Sequence, residues 1–300
     1  MFDLSKKFWQ WAAMLSLALV WGSSFILMKK GLMAFSFIQV AAIRIFFAFV
    51  VLIPVIFRHF NKLNRTNIKS IALVGYAGIF FPAFLFTLAQ THISSALSGM
   101  LNSFSTLFAL VVGILFYRNK PLPNQYFGIF IGLIGALALI TGGDFSSIFG
   151  VNAYAFFVLI ATFGYGVNAN EVRFKLQKMN GIQITSLSFL LVGPPAGIIL
   201  FSTDLNAAWQ SPYFWPSLLA VLTLSGVGSV LSLFIFNNLI HHTSALFATS
   251  VTYIIPIFAI LWGIFDGETI NPIQIAGIAI VLFGVYMVNR KRNPLPVVKE

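Results

Sequence analysis

Apolar residues in this chain do not alternate with polar ones. They run in blocks of about 20, the length a helix needs to cross a bilayer. The blocks fall at roughly 9–28, 36–57, 69–90, 94–117, 124–141, 151–170, 182–202, 215–238, 244–265 and 272–290. Each predicts an α-helix, because a helix satisfies its own backbone hydrogen bonds where there is no water. The connectors are short, so successive helices should run antiparallel. The pattern thus predicts an all-α integral membrane protein with ten transmembrane helices. The first block, from about Phe8, follows Lys6 and Lys7. No small-residue cleavage site follows it, so it reads as a first span rather than a signal peptide.

The blocks repeat. An offset of 149 residues, without a gap, lays Ser95-Ala96-Leu97 on Ser244-Ala245-Leu246, Pro123 on Pro272, Gln125 on Gln274 and Gly128 on Gly277. The same offset lays Leu133 and Gly135 on Leu282 and Gly284. Nearer the start of each half, Trp21-Gly22 falls on Phe163-Gly164 at an offset of 142, the difference being one connector's length. The halves are 1–147 and 148–292, with a tail at 293–300. Five spans per half is an odd number, so the second half should enter the membrane upside down. Two inverted five-helix repeats are a common plan of secondary transporters, with the site near the midplane between them.

Composition agrees with this picture: 59% of residues are hydrophobic and only 8% charged, against about a quarter charged in an ordinary soluble domain. The net charge of +11 invites a nucleic-acid partner, but its distribution excludes one. With the N-terminus in the cytoplasm, fifteen of the eighteen Lys and Arg fall on the cytoplasmic side. The outer connectors hold Lys29 and Lys30 with Asp144, Asp204, Asp266 and Glu268. That is the positive-inside bias of an inserted protein, and it places both termini in the cytoplasm of a plasma (inner) membrane. The absence of cysteine rules out disulfides, thiol nucleophiles and Cys-based metal sites.

The first half opens Leu19-Val20-Trp21-Gly22-Ser23-Ser24-Phe25, followed by Lys29 and by Ala42-Ile43-Arg44-Ile45-Phe46 in the second span. The second half closes with Pro256, Gly267-Glu268, Pro272, Gln274, Gly277 and Gly284. In order and spacing this resembles the EamA-type permeases of the drug/metabolite transporter superfamily, over nearly the whole chain. Two positions depart: Asn119 stands where the first repeat's connector often carries Glu, and Leu107 stands opposite Pro256. The resemblance implies export or uptake of amino acids and other small metabolites, without naming one.

Arg44 is the one clearly intramembrane charge. Such a guanidinium costs about 3 kcal/mol or more unless paired or hydrated. It either ties its helix to carbonyls or headgroups, or holds a substrate carboxylate through its planar fork. Asn102 and Ser103, Tyr165, Asn168 and Asn170, and Asn237 and Asn238 cluster on spans four, six and eight, and either line a cavity or bond helices together. Trp21, Ser24, Tyr76, Tyr253 and Trp262 are the remaining candidate lining residues, and Gly22, Lys29, Pro82, Glu171 and Pro256 the candidate gates or hinges. Gly128, Gly132 and Gly135 form a small-residue face, suited to a dimer seam or to internal packing. Monomer and homodimer both stay open.

Other matches carry no chemistry. Gly164-Tyr165-Gly166 follows no strand, Asn64-Arg65-Thr66 falls in a cytoplasmic connector, and His241-His242 has no carboxylate or thiol near it in sequence. A dinucleotide site, glycosylation and a metal are therefore not expected, nor is any cofactor. No acidic residue lies mid-span, so a carboxylate proton relay through the centre is unavailable, and facilitated movement or exchange is expected. The reading is a permease that moves a small amphipathic solute by alternating access, and not an enzyme. The alternative is a membrane-embedded enzyme or flippase-like protein acting on lipid-linked substrates. It would need a catalytic constellation that His59, His92, His241, His242, Glu171 and Asp266 do not compose.

Overall fold

The computed structural model describes residues 6–118, 121–143, 151–232, 235–236, 239 and 250–289. Among them the chain is helical, with no strand. Seven segments are long and apolar enough to cross a membrane: α1 (Lys7–Gly31), α2 (Phe37–Lys62), α3 (Ile68–Ala89), α4 (Ser95–Tyr117), α5 (Pro123–Thr141), α7 (Gly181–Phe201) and α8 (Phe214–Leu231). Between α5 and α7 lies α6 (Ala155–Lys175), which carries Asn168, Asn170, Glu171 and Arg173. The shorter apolar helices α9 (Val251–Phe265) and α10 (Pro272–Asn289) close the chain. The protein is thus a multi-pass membrane protein.

Local chemistry sets the ends. Ser36 caps α2 through the Gln39 amide, with the Gln39 side chain returning to the Ser36 N–H; Asn180 and Gln183 do the same at α7. These reciprocal pairs satisfy donors that a helix start leaves free. Pro123 opens α5, where its missing N–H costs nothing. Gly142 (φ 55°) ends α5, and Gly267 (φ 79°) turns the chain between α9 and α10.

The helices pack in recurring pairs. α5 lies on α10, α2 on α7, and α4 on both α6 and α9. α1 packs on α8 and α9, while α3 packs on α6 and α7. The α5–α10 seam is made of glycine. A Cβ on Gly128 would stand 2.7 Å from the Gly284 carbonyl oxygen, and one on Gly284 2.6 Å from that of Gly128. Gly135 meets the Gly277 carbonyl at 2.8 Å. Of the two roles open to this glycine face, the structure shows internal packing. Bare backbone lets the helices approach closely, and in lipid that van der Waals contact replaces the hydrophobic drive.

Two details depart from the apolar pattern. α6 runs five residues past its expected end at 170, so Glu171 lies inside the helix. The expected end was set by the charges that follow, which the structure satisfies within the helix bundle. α3 and α8 each contain a π-helical turn, Tyr76–Phe80 and Gly226–Leu231. The first leads into Pro82, whose missing N–H disrupts the normal ladder. Pro256 lies in the first turn of the α-helical part of α9, which starts at Ile255 after a 3-10 turn.

Candidate functional site

The π turns face polar and aromatic side chains from α1 and α6. Trp21 donates its indole N–H to the Gly228 carbonyl, 3.1 Å away in the α8 turn, and its ring packs 5.3 Å from Phe236. Ser24 donates back to Val20 and lies against Gly228. On the other side Asn168 packs against Gly78 in the α3 turn. Its Oδ1 is buried with no protein partner among the described residues. Such turns are frequent at functional sites, because they release carbonyls from the ladder. Gly22 is fixed by close packing: a Cβ there would meet Phe258 at 2.6 Å and the Ile255 oxygen at 3.0 Å.

Arg44 on α2 and Tyr165 on α6 lie close enough to interact electrostatically. Protein surrounds both side chains, yet each keeps part of its surface accessible. Among the described residues the guanidinium's hydrogen-bond contact is the Met28 thioether at 4.0 Å. Among the described residues no carboxylate pairs with it. Ser225 anchors the Arg44 carbonyl at 2.7 Å, which sets the backbone but leaves the charge unanswered. Phe86 stacks on Tyr165 with centroids 6.0 Å apart, and Phe25 packs on Phe86 at 5.8 Å. The surroundings are therefore apolar and aromatic.

The other expected residues make the following contacts. Tyr76 packs with Phe80 and Phe81 in the apolar cluster of α2, α3 and α7. Asn102 is partly accessible, whereas Ser103 is buried and bonded to the Met100 carbonyl. Tyr253 donates to the Val285 carbonyl at 3.1 Å, tying α9 to α10. Trp262 is 38% exposed and donates to Ser23 at 2.8 Å. Asn170 bonds the Ala109 carbonyl at 2.7 Å and so ties α6 to α4. Asn237 lies outside the described residues, as do Asn238, His241 and His242. A wholly apolar groove between α2, α7 and α8, lined by Phe46, Leu200, Phe214 and Leu222 among others, suits lipid rather than a polar solute.

A charged cluster closes each end of the bundle. At one, Lys29 lies 2.7 Å from both Asp266 and Glu268, and Lys30 pairs with Asp266. Glu268 also accepts from the Ser95 amide (3.0 Å), the Ser95 hydroxyl (2.8 Å) and the Ala96 amide (3.0 Å). It thereby caps the start of α4, where amide dipoles favour an anion. Burial alone would raise the Glu268 pKa, but Lys29 and these donors outweigh it and hold the carboxyl below its ordinary range. Asp266 is likewise held low: burial opposes ionisation there, and Lys29 and Lys30 prevail.

At the opposite end Glu171 is buried, accepting from the Tyr117 hydroxyl, with Ser70 beside it and Lys175 at 3.3 Å. Sequence reasoning flagged Lys29 and Glu171 but missed Tyr117, Ser70 and Ser95. The adjacent serines at this helix start were the available signal: Ser94 caps it through the Leu97 amide, and Ser95 follows in the first turn. The π turns were missed too, although closely spaced glycines mark both (Gly75 and Gly78, Gly226 and Gly228).

The profile of the EamA-like transporter family matches residues 8–141 and 152–290. The chain is 25% identical to the uncharacterized inner membrane transporter YedA of Escherichia coli K12, over 95% of this chain and 92% of that one. An uncharacterized transporter of Archaeoglobus fulgidus is 24% identical, over 94% and 99%. One crystal structure of a protein is similar in fold, with a TM-score of 0.60 at 13% identity, over 92% of this chain and 94% of that one.

Proposed function

The chain belongs to the EamA-like transporter family, and from that premise we propose a permease that moves a small amphipathic solute, an amino acid or a similar metabolite, by alternating access. The carrying observation is the pair Arg44 and Tyr165, partly accessible side chains within the bundle that interact electrostatically, between a charged cluster at either end. Trp21 and Ser24 from α1 and Asn168 from α6, packed against the two π turns, complete the proposed site. The clusters at Lys29–Glu268 and Tyr117–Glu171 are the gates, opened in turn. A ten-span inverted repeat with halves 1–147 and 148–292 organises the motion. The pairing of α2 with α7 and α5 with α10, and the π turns in α3 and α8, support it. No charged carboxylate sits in the centre among the described residues, which supports uniport or exchange over proton antiport.

Two measurements test this reading. Counterflow of labelled amino acids and metabolites into proteoliposomes should show saturable exchange that Trp21→Ala or Asn168→Leu reduces by about tenfold or more. Exchange indifferent to both variants would reject the site. Orientation is tested by single cysteines in a chain that has none. Arg118→Cys should label only from the cytoplasm and Thr269→Cys only from outside. Labelling of both from the same side would reject the inverted repeat.

A further inference from the structure

The charge balance at the centre narrows the solute. The chain has seven acidic residues. The four among the described residues are all engaged away from Arg44. Asp204 accepts from the Asn206 amide in its own connector, Glu171 is bonded to Tyr117 and Lys175, and Asp266 and Glu268 hold Lys29 and Lys30. The remaining three, Asp3, Asp144 and Glu300, belong in sequence to the two ends of the chain and one connector. Arg44 thus carries a full positive charge inside the bundle, against the buried Met28 thioether and within electrostatic reach of Tyr165, which stacks on Phe86. On the same face of α6, one turn from Tyr165, Asn168 carries a buried acceptor with no partner among the described residues.

We propose that the transported solute is a net-anionic organic carboxylate with an apolar body and a hydroxyl donor, rather than a zwitterionic amino acid. This rests on the permease reading of the central space. A carboxylate matches the planar fork of a guanidinium in two parallel hydrogen bonds, and it neutralises Arg44. A hydroxyl on the adjacent carbon satisfies Asn168 Oδ1 without adding charge. A zwitterion brings its own ammonium, so the occupied site keeps an uncompensated positive charge away from water, which is costly. The apolar body fills the aromatic surroundings.

The experiment compares isosteric pairs on the purified protein in lipid nanodiscs at pH 7.5: phenyllactate with phenylalanine, and 2-hydroxyisocaproate with leucine. Within each pair only the hydroxyl and the ammonium differ, so the wild-type protein alone carries the comparison. At least one hydroxy acid should bind about tenfold or more tightly than its amino-acid partner, and phenethylamine should not bind. Arg44→Gln, if it stays monodisperse, should weaken hydroxy-acid binding by about tenfold or more, with Arg44→Lys recovering only part. Equal or tighter binding of the amino acids overturns the proposal, as does hydroxy-acid binding unchanged in Arg44→Gln or absent from both pairs. The permease reading fails separately. If amino acids bind and Trp21→Ala weakens them, the central site stands and only the anionic class falls. If counterflow is also indifferent to Trp21→Ala, the site itself falls.

Discussion

Replacing Glu268 by alanine should lower the melting temperature of the detergent-solubilised protein by about 5 °C, from a loss of about 2–3 kcal/mol. The carboxylate does three things at once. It accepts from two amides at the start of α4, it holds the Ser95 hydroxyl, and it pairs with Lys29. Its removal leaves those amides without an acceptor and leaves Asp266 alone to balance both Lys29 and Lys30, and a lost partner costs more than the bond was worth. The figure is kept at the low end because the Lys29 side chain is 36% exposed, so water partly compensates. Lys30→Gln is the control. It loses an ion pair whose ammonium is 43% exposed, and stability should change by about 0.5 kcal/mol or less. Glu268→Gln should fall between, because the amide keeps one acceptor oxygen. Equal melting of Glu268→Ala and Lys30→Gln would reject the capping role.

The same cluster sets a pH dependence. Glu268 is held below its ordinary pKa of 4.5, so the folded protein binds a proton there less readily than the unfolded chain. Its stabilisation is complete above about 4.5 and is lost as pH falls through the lower folded value. The gap in stability between wild type and Glu268→Gln should stay constant from about pH 7 to 5 and narrow below about 4.5. A gap that widens on acidification would contradict the assignment.

What the sequence made legible follows from the physics of lipid. Bilayer thickness fixes block length, so the helices appear near their expected positions. Arg44 stood out because a charge inside an apolar block is expensive. Other features depend on three dimensions. The end of α6 was placed five residues early, since Glu171 reads as a stop until Tyr117, Ser70 and Lys175 are seen to satisfy it. A π turn adds one residue to a cycle without altering composition, so neither turn left a periodic trace. Tyr76 and Trp262 were candidates by residue type, but helix rotation decides what each faces: an apolar cluster and an exposed edge. Gly128 and Gly135 announced a close-packing face, yet only the structure identified α10 as its partner.

That seam gives the second large effect. Gly284→Ala should destabilise the protein by about 2 kcal/mol, and Gly284→Leu should abolish the monodisperse peak in size-exclusion chromatography. A Cβ on Gly284 would meet the Gly128 oxygen at 2.6 Å, the Gly132 nitrogen at 2.8 Å and the Gly132 Cα at 3.1 Å. All three are backbone atoms, which cannot rotate aside, so α5 and α10 must separate along their length. Separation forfeits the dispersion contacts that hold helices together where lipid competes for every apolar surface. Alanine's better helix propensity returns up to about 1 kcal/mol, and the 2 kcal/mol is net of that. Gly128 and Gly284 face each other, so Gly128→Ala with Gly284→Ala should cost less than the sum of the single changes, the helices having already parted. Gly226→Ala is the internal control, since nothing lies within 4 Å of its added methyl; it should melt at the wild-type temperature or slightly above. If Gly284→Ala melts with Gly226→Ala, the glycine seam is not what brings α5 and α10 together.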